Sequence, residues 1–142
     1  MKMVITEPCS GYYDGTEDNI RLEFRNHFAS TPRETCMTDV LDISGYEFVR
    51  GREDLWFKKH LLTCSGRMFR PISGLDFRFH LEPMGWFGQT DELKLCKVTV
   101  LFGSPGVPGY SKWQWTGTTI NEHWTGSYNS YSNWNTLLKI AG

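Results

Sequence analysis

Several short segments of the chain alternate apolar and polar residues, which is the pattern of a β-strand with one buried face. The alternation is most regular in Leu75–Glu82, where every odd position is apolar and every even position is polar. Asn19–Asn26 follows the same pattern, with charged residues between its apolar positions. Both segments are therefore predicted to be half-buried antiparallel strands.

Other segments carry a weaker form of the same signal. Further strands are predicted at 36–43, 93–102, 112–120 and 134–140. Within 93–102 the apolar phase shifts between Leu95 and Cys96, which indicates a bulge or a stretch buried on both faces. A helical period is not sustained for three turns, so the pattern admits at most one short helix, at 53–62. Short strands separated by Gly and Pro turns predict an all-β fold, an antiparallel β-sandwich.

The length of 142 residues is that of a single domain. Residues 1–18 precede the first regular strand and are interpreted as an N-terminal arm. Residues 103–142 carry only three Asp, Glu, Lys or Arg side chains and are rich in Trp, Tyr, Thr, Ser and Asn. We interpret this tail as the closing strands of the same sandwich plus an aromatic, hydroxyl-rich loop.

The cysteines indicate the compartment. The chain has four of them, Cys9, Cys36, Cys64 and Cys96. Their wide, even spacing without a CxxC motif is typical of disulfides between strands rather than of a zinc or redox site. Four cysteines allow three connectivities, among which spacing does not choose. Disulfides predict a secreted protein, and we expect a mature form behind an added Met, because a signal peptide's hydrophobic stretch is missing.

The segment 46–57 resembles part of a known family. Its sequence, YEFVRGREDLWF, is similar to the aromatic–Gly–Asp–aromatic segment of PLAT (lipoxygenase-homology, LH2) domains, and the order of strands over 18–102 also agrees. The resemblance implies a sandwich of about eight strands whose exposed loop aromatics dock on lipid or on a partner protein, sometimes with calcium and without catalysis. It also implies that Cys36 and Cys64 pair, which leaves Cys9 to pair with Cys96.

Two groups of aromatic residues are candidate binding sites. Trp86 and Phe87 lie at a predicted loop tip, where they suit membrane insertion or a partner pocket unless the tip folds back over the sandwich. The second group lies among Asn and Ser residues in the tail and consists of Trp124, Tyr128, Tyr131 and Trp134. This mixture of rings, amides and hydroxyls suits flat sugar rings or a polar partner surface.

Oxygen-bearing side chains surround Gly15 in the loop before the first regular strand. Asp14, Glu17 and Asp18 are candidate calcium ligands, because hard cations bind several flexible oxygen ligands. Acidic turn residues are also commonly solvated or hydrogen-bonded to the local backbone. Calcium is therefore a candidate cofactor, and no cofactor is required.

Charge and motifs argue against several classes of function. A formal net charge of −1 does not supply the field expected of a nucleic-acid-binding protein. The four histidines lack metal-site spacing, no catalytic motif is present, and the even cysteine count leaves no lone thiol. An enzyme is therefore not expected. The apolar runs are also too short for a transmembrane segment.

Together these features predict a secreted, noncatalytic recognition module that docks on a lipid surface or a partner protein through Trp86 and Phe87. The first alternative is a lectin-like module that binds glycans through the tail aromatics. The second alternative is a self-associating, homo-oligomeric subunit of an extracellular polymer or coat. In that case the N-terminal arm and the tail would add as strands to neighbouring copies.

Overall fold

The computed structural model describes residues 3–11, 15–27, 35–41, 48–56, 63–64, 67–68, 74–83 and 90–142. The strands are β1 (Met3–Pro8), β2 (Asn19–Asn26), β3 (Thr35–Met37), β4 (Asp54–Trp56), β5 (Thr63–Cys64), β6 (Arg67–Met68), β7 (Leu75–Glu82), β8 (Lys94–Phe102), β9 (Ser111–Trp124), β10 (Ser130–Ser132) and β11 (Asn135–Ala141). One 3₁₀ turn, Gly126–Tyr128, follows β9. The predicted all-β fold is confirmed. In the described ranges, no helix has the length and apolar character needed to cross a membrane.

Nine of the strands form one antiparallel sheet. Its order is β3-β2-β7-β10-β9-β8-β1-β4, and β11 pairs with β7 and β9. The strands β10 and β11 share one position in the sheet, one after the other. Each of them lies between β7 and β9. The two remaining strands, β5 and β6, pair only with each other in the described part of the chain.

The sheet folds into two layers around a shared core. One layer contains β3, β2, β7 and β10, the other contains β4, β1 and β8, and β9 and β11 take part in both. The ring of Phe77 meets that of Trp115 edge to face across the layers, with centroids 5.1 Å apart. Apolar members of the core include Val4, Ile20, Leu22, Phe24, Phe77, Phe79, Val98, Val100 and Trp113. The arrangement is that of a β-sandwich.

The two most regular predicted strands are confirmed at both of their ends. Asn19–Asn26 and Leu75–Glu82 are β2 and β7, and they pair along their whole length, from Asn19 opposite Glu82 to Asn26 opposite Leu75. The predicted irregularity near Leu95 is also confirmed, because the register of β8 against β9 shifts there. An extra residue in one strand produces such a shift.

The strand predicted at 36–43 is shorter in the structure. Only Thr35–Met37 pairs as a strand with β2. The hydroxyl of Thr38 accepts a hydrogen bond from the N–H of Leu22 at 3.0 Å, in place of the carbonyl that would continue the ladder. A side chain that takes over a backbone partner ends regular pairing. Residues 42 and 43 lie outside the described residues.

The short helix admitted at 53–62 is replaced by a strand at its beginning. Asp54–Trp56 forms β4 and pairs with β1, while 57–62 lies outside the described residues. Pairing with an available strand edge overrides a weak local preference for helix. The predicted N-terminal arm contains β1, which pairs with β8 on one edge and with β4 on the other.

In the described part, 48–56, of the segment that carries the PLAT resemblance, a turn lies beside β1 and leads into β4. Phe48 is buried with φ of 52°, and Gly51 has φ of 69°. The N–H of Phe48 donates to the buried carboxylate of Asp54 at 2.7 Å, and the N–H of Gly51 donates to the Pro8 carbonyl at 3.0 Å. Buried partners of this kind hold a backbone conformation that side-chain-bearing residues rarely adopt. The Gly and the Asp of this segment therefore have structural roles.

A disulfide links β1 to its neighbouring strand β8 in the same layer. Cys9, directly after β1, is bonded to Cys96 in β8, with Cα atoms 4.9 Å apart, so this predicted pairing is confirmed. Its sequence separation is 87 residues, for which chain entropy gives a stabilisation of about 4–5 kcal/mol. Cys36 is also disulfide-bonded. The side chain of Cys64 lies outside the described residues, so its pairing with Cys36 stays a prediction.

Candidate recognition surface

Four of the six predicted aromatic binding residues fall within the described residues. Trp86 and Phe87 lie outside them, as does Asp14 of the predicted calcium loop. The other four, Trp124, Tyr128, Tyr131 and Trp134, lie between the end of β9 and the start of β11. The structure divides these four into two pairs with different surroundings.

Trp124 and Tyr128, which we call the tip pair, stand at the tip of the hairpin formed by β9 and β10. Trp124 ends β9 and pairs with Ser130. The turn closes through a hydrogen bond of 2.8 Å from the N–H of Thr125 to the carbonyl of Asn129. Each residue of the tip pair is 57% exposed. Two large aromatic side chains are thus held in solvent on a hydrogen-bonded turn.

Tyr128 adopts a left-handed backbone conformation, with φ of 63°. For a residue with a side chain this conformation costs roughly 1–2 kcal/mol. Strained residues of this kind concentrate at binding and catalytic sites. The conformation leads the chain from the 3₁₀ turn back into β10. Tyr128 is therefore a candidate ligand contact on its conformation as well as on its exposure.

Tyr131 lies on the outer face of the β2–β7–β10 layer, between two imidazole rings. The strand register places His80 of β7 and His123 of β9 directly opposite Tyr131. The ring centroids of His80 and His123 lie 5.6 Å and 5.2 Å from that of Tyr131, and their planes are inclined by 29° and 24°. The Tyr131 ring is therefore stacked within its own chain.

Trp134 is packed in a similar way by guanidinium groups. The Cζ of Arg25 lies 4.1 Å from the Trp134 ring centroid, and the Cζ of Arg78 lies 4.6 Å from it. Arg78 is also 4.6 Å from the ring centroid of Tyr131. These distances are those of cation–π contacts. We call Arg25, Trp134, Arg78 and Tyr131 the stacked ladder.

A buried carboxylate anchors one end of the stacked ladder. The Asp76 side chain is 2% exposed and accepts from Arg25 Nε at 2.9 Å. It also accepts from the hydroxyl of Thr136 at 2.8 Å and is hydrogen-bonded to His27 Nδ1 at 2.8 Å. A buried carboxylate is tolerated when charged and polar partners surround it in this way.

Glu23 anchors the other arginine. Its carboxylate accepts from Arg78 Nε at 2.5 Å and lies 3.1 Å from His80 Nε2. Burial by itself would raise the pKa of Glu23, but the hydrogen bonds and charges of His80 and Arg78 outweigh it, so this pKa lies below its ordinary value. Glu23 therefore links β2, β7 and, through Arg78, the aromatic rings of β10 and the following turn.

Two of the predicted sites, the described part of the calcium loop and the hairpin aromatics, meet at one end of the sandwich, which we call the hairpin end. The carboxylate of Asp18 accepts from the N–H of Asp91 at 2.5 Å, so the predicted calcium loop adjoins the residues before β8. The hydroxyls of Thr90 and Ser130 are 3.0 Å apart, and Ser130 also pairs with Leu81. Leu81 and Thr90, described residues that precede and follow the segment 84–89, therefore lie beside Ser130 of the hairpin.

The base of the hairpin is fixed by Asn121. Its Oδ1 accepts from the N–H of Leu93 at 2.9 Å, and its Nδ2 donates to the carbonyl of Asp91 at 2.9 Å. The same amide nitrogen donates to the hydroxyl of Ser130 at 3.0 Å. Asn121 is itself buried. The hairpin is therefore held to the loop that precedes β8 by a satisfied buried network.

The hairpin end carries an excess of acidic groups. Glu17, Asp91 and Glu122 are exposed, and Asp18 is buried beside Asp91. Burial, followed by the charges of Asp18 and Glu17, raises the pKa of Asp91 above its ordinary value. The local potential is therefore negative.

The geometry does not assemble the predicted calcium ligands into a site. Among the described residues, no group of three or more His, Cys, Asp or Glu side chains is arranged to hold a metal ion. Glu17 is exposed, and the buried carboxylate of Asp18 already accepts a backbone hydrogen bond. Calcium binding with Asp14 as a further ligand stays a prediction.

The arginines of the stacked ladder, and the acids Asp76 and Glu23 that anchor them, were not identified as site residues from the sequence. The outward positions of β2 and β7 pair Glu23 with Arg78 and Arg25 with Asp76. Opposite charges at outward positions of two alternating strands were the available signal. This signal identifies the ion pairs only when the strand register is known, because a shift by two residues changes every cross-strand pair.

Comparison of the chain with protein-family models and with curated proteins found no match. The surface is therefore interpreted from its own geometry, and the resemblance to PLAT domains stays a prediction.

Proposed function

We propose that this protein is a secreted, noncatalytic recognition module that binds its ligand at the hairpin end. The tip pair carries the proposal, since Trp124 and Tyr128 are each 57% exposed although ring stacking partners lie a few residues away. Exposed Trp and Tyr side chains combine large apolar area with a polar group, and they are enriched where protein surfaces bind.

The hydrogen bonds that hold the hairpin tip in place favour a binding role for its exposed rings. The turn is closed by the hydrogen bond between Thr125 and Asn129, and its base is held by Asn121. A ligand that meets an already ordered surface loses less conformational entropy on binding. The hairpin end therefore has the rigidity that a small binding surface needs.

The disulfides support the extracellular part of the proposal. Cys9 is bonded to Cys96, and Cys36 is also disulfide-bonded, as is common in secreted proteins and rare in cytosolic ones. Alkylation of the native protein before and after reduction tests this part. We expect no labelled cysteine before reduction and four after it, whereas four labelled thiols in the native protein would contradict secretion through an oxidising compartment.

The geometry favours the alternative functions to different degrees. Docking through Trp86 and Phe87 is compatible with the same end, because Leu81 and Thr90, which precede and follow the segment 84–89, lie beside Ser130. Assembly by strand addition of the N-terminal segment is less favoured, because Met3–Pro8 is already paired with β8 and β4. Its addition to a neighbouring copy would first have to break one of these pairings.

Binding at the hairpin end is tested by the double substitution Trp124→Ala, Tyr128→Ala. Wild type and variant are compared on four immobilised probes: neutral oligosaccharides, heparin, phosphatidylcholine–phosphatidylserine vesicles and poly-lysine. We expect the wild type to bind at least one probe and the variant to bind it at least tenfold more weakly, since each ring is worth about 0.5–1.5 kcal/mol or more in contact.

Leu138→Ala is the matched control. Leu138 is 69% exposed but lies on β11, away from the hairpin tip, so its loss removes exposed apolar area without touching the tip pair. Equal binding of wild type and the double variant to every probe would contradict the proposed function.

A further inference from the structure

We infer that the ligand class of the hairpin end is an uncharged carbohydrate. This inference rests on the proposed function and specifies what that surface recognises. It combines three features of the described residues: the exposed rings of the tip pair, the hydrogen-bonding groups at the same end of the sandwich, and the sign of the local charge.

The tip pair suits sugar rings by shape and chemistry. One face of a pyranose presents several C–H groups, which pack on the flat apolar surface of an indole or a phenol. Among the described residues, Trp124 and Tyr128 are the aromatic residues at this end whose exposure leaves ring surface for such contact. Tyr131 and Trp134 are stacked by their own chain and are not part of the proposed site.

The polar groups at the hairpin end suit a ligand rich in hydroxyl groups. Exposed carboxylates are supplied by Glu17, Asp91 and Glu122. An ionised carboxylate only accepts hydrogen bonds, and a sugar hydroxyl donates them. Bonds to an ionised acceptor are also stronger than those between neutral groups.

The sign of the charge disfavours anionic ligands. Asp91 already lies in the field of Asp18 and Glu17, which help to raise its pKa. A phosphate, sulfate or carboxylate group brought to this end would meet like charges. Anionic lipid surfaces and acidic polysaccharides are therefore disfavoured at this end.

The size of the tip favours a sugar over a basic protein surface. A standard protein interface buries about 800 Å² on each partner. Two aromatic side chains bury at most about 150–250 Å² each, which falls short of that area but matches one or two sugar rings. A basic partner is the main competing class and is resolved by the test.

The test measures the same four probes against single substitutions. For neutral oligosaccharides we expect about a tenfold loss of affinity with Trp124→Ala and a similar loss with Tyr128→Ala. Tyr128→Phe should retain most of the affinity, because it keeps the ring. Trp124→Ala should leave the thermal unfolding midpoint close to that of the wild type, which separates lost contact from lost folding.

Charge neutralisation provides a second, independent readout. The variant Glu17→Gln, Asp91→Asn, Glu122→Gln should bind heparin more tightly than the wild type does. Its affinity for neutral oligosaccharides should fall by a few-fold, because amides replace ionised acceptors. Unchanged heparin binding would overturn the role assigned to the carboxylates.

The outcomes separate the inference from the proposed function. If Trp124→Ala weakens binding to vesicles, heparin or poly-lysine while no neutral oligosaccharide binds, the carbohydrate class is wrong and binding at the hairpin end stands. If neutral oligosaccharides bind equally well to wild type and to both alanine variants, the site is wrong. If the alanine substitutions change binding to none of the four probes, the inference and the proposed function both fail.

Discussion

The tip pair and the aromatic rings of the stacked ladder lie within one stretch of the chain, 124–134, and have opposite surroundings. Trp124 and Tyr128 are each 57% exposed. Tyr131 lies between two imidazole rings, and Trp134 lies between two guanidinium groups. Residues of the same type and nearly the same sequence context therefore have different surroundings, one pair exposed to solvent, where we propose that it contacts a ligand, and the other packed on the layer.

The difference shows how neighbouring strands assign a role to an aromatic ring. Tyr131 and Trp134 sit beside β7, whose outward positions supply Arg78 and His80. The tip pair stands where β9 ends and β10 begins, at the limit of strand pairing. Rings with charged neighbours across the sheet become part of the scaffold, and rings at or beyond the last pair stay exposed.

The largest expected effect comes from removing the buried anchor of the ladder. Asp76→Ala leaves Arg25 without the carboxylate that pairs with it at 2.9 Å and should lower the free energy of unfolding by about 3 kcal/mol. Glu82→Ala, on the same face of β7, breaks an exposed pair with Arg21 and should cost about 1 kcal/mol or less. Urea unfolding of both variants measures the difference. Similar losses of unfolding free energy in the two variants would contradict the anchoring role of Asp76.

Truncation of one tryptophan from each pair tests the comparison directly. Trp134→Ala removes two cation–π contacts and a half-buried ring, so the free energy of unfolding should fall by about 2 kcal/mol. Trp124→Ala should change it by about 0.5 kcal/mol or less, because the side chain is exposed. Chemical denaturation of the two variants checks this contrast. A larger destabilisation from Trp124→Ala would reverse the assignment of the two pairs.

The charge of Glu23 should make the ladder sensitive to acid. Its folded-state pKa is lowered, so the ionised form stabilises the fold above the ordinary value of 4.5, and this contribution is lost as the pH falls through the folded-state pKa. Glu23→Gln should cost about 1.5 kcal/mol at neutral pH. The difference in unfolding free energy between wild type and variant should narrow as the pH falls below the ordinary pKa. Thermal unfolding across this pH range measures it, and a gap independent of pH would contradict the role of the charge.

The smallest expected effect concerns the strained turn of the tip pair. Tyr128→Gly relieves a positive φ and should raise the free energy of unfolding by about 0.5–1 kcal/mol, while it weakens ligand binding. This trade of stability against binding is expected at a residue kept for contact. Unfolding and ligand binding measured on the same variant test the expected gain in stability and the expected loss of affinity. A destabilised variant would show that the Tyr128 ring contributes packing rather than contact.

The fold was predictable where the sequence pattern coincides with burial. In β2 and β7, apolar residues alternate with charged ones, and the apolar positions Ile20, Leu22, Phe77 and Phe79 are fully buried. The strand β1 gives a weaker pattern, because Thr6 is buried and Pro8 ends the strand. The hairpin strand β10 was missed because its three residues, Ser130–Ser132, contain two serines that the buried network satisfies.

The candidate site was predictable only as a region. Composition pointed to the tail aromatics as a group, but it did not separate the tip pair from Tyr131 and Trp134, because the stacking partners come from strands elsewhere in the chain. Arg25 and Arg78 are 109 and 56 residues before Trp134. Contacts over such separations depend on strand order and register, which local pattern does not encode.

By itself the sequence determined that this chain is an all-β sandwich, where its regular strands begin and end, and that its cysteines are suited to disulfides. These properties follow from the period of apolar residues and from residue type, which are local. Only the tertiary structure decided that Asp18, the residues before β8 and the hairpin tip share one end, and that two of the tail aromatics support the layer. The physical reason is that a side chain's neighbours are set by which strands pair and in which register, and this is settled by burial of the shared core as a whole.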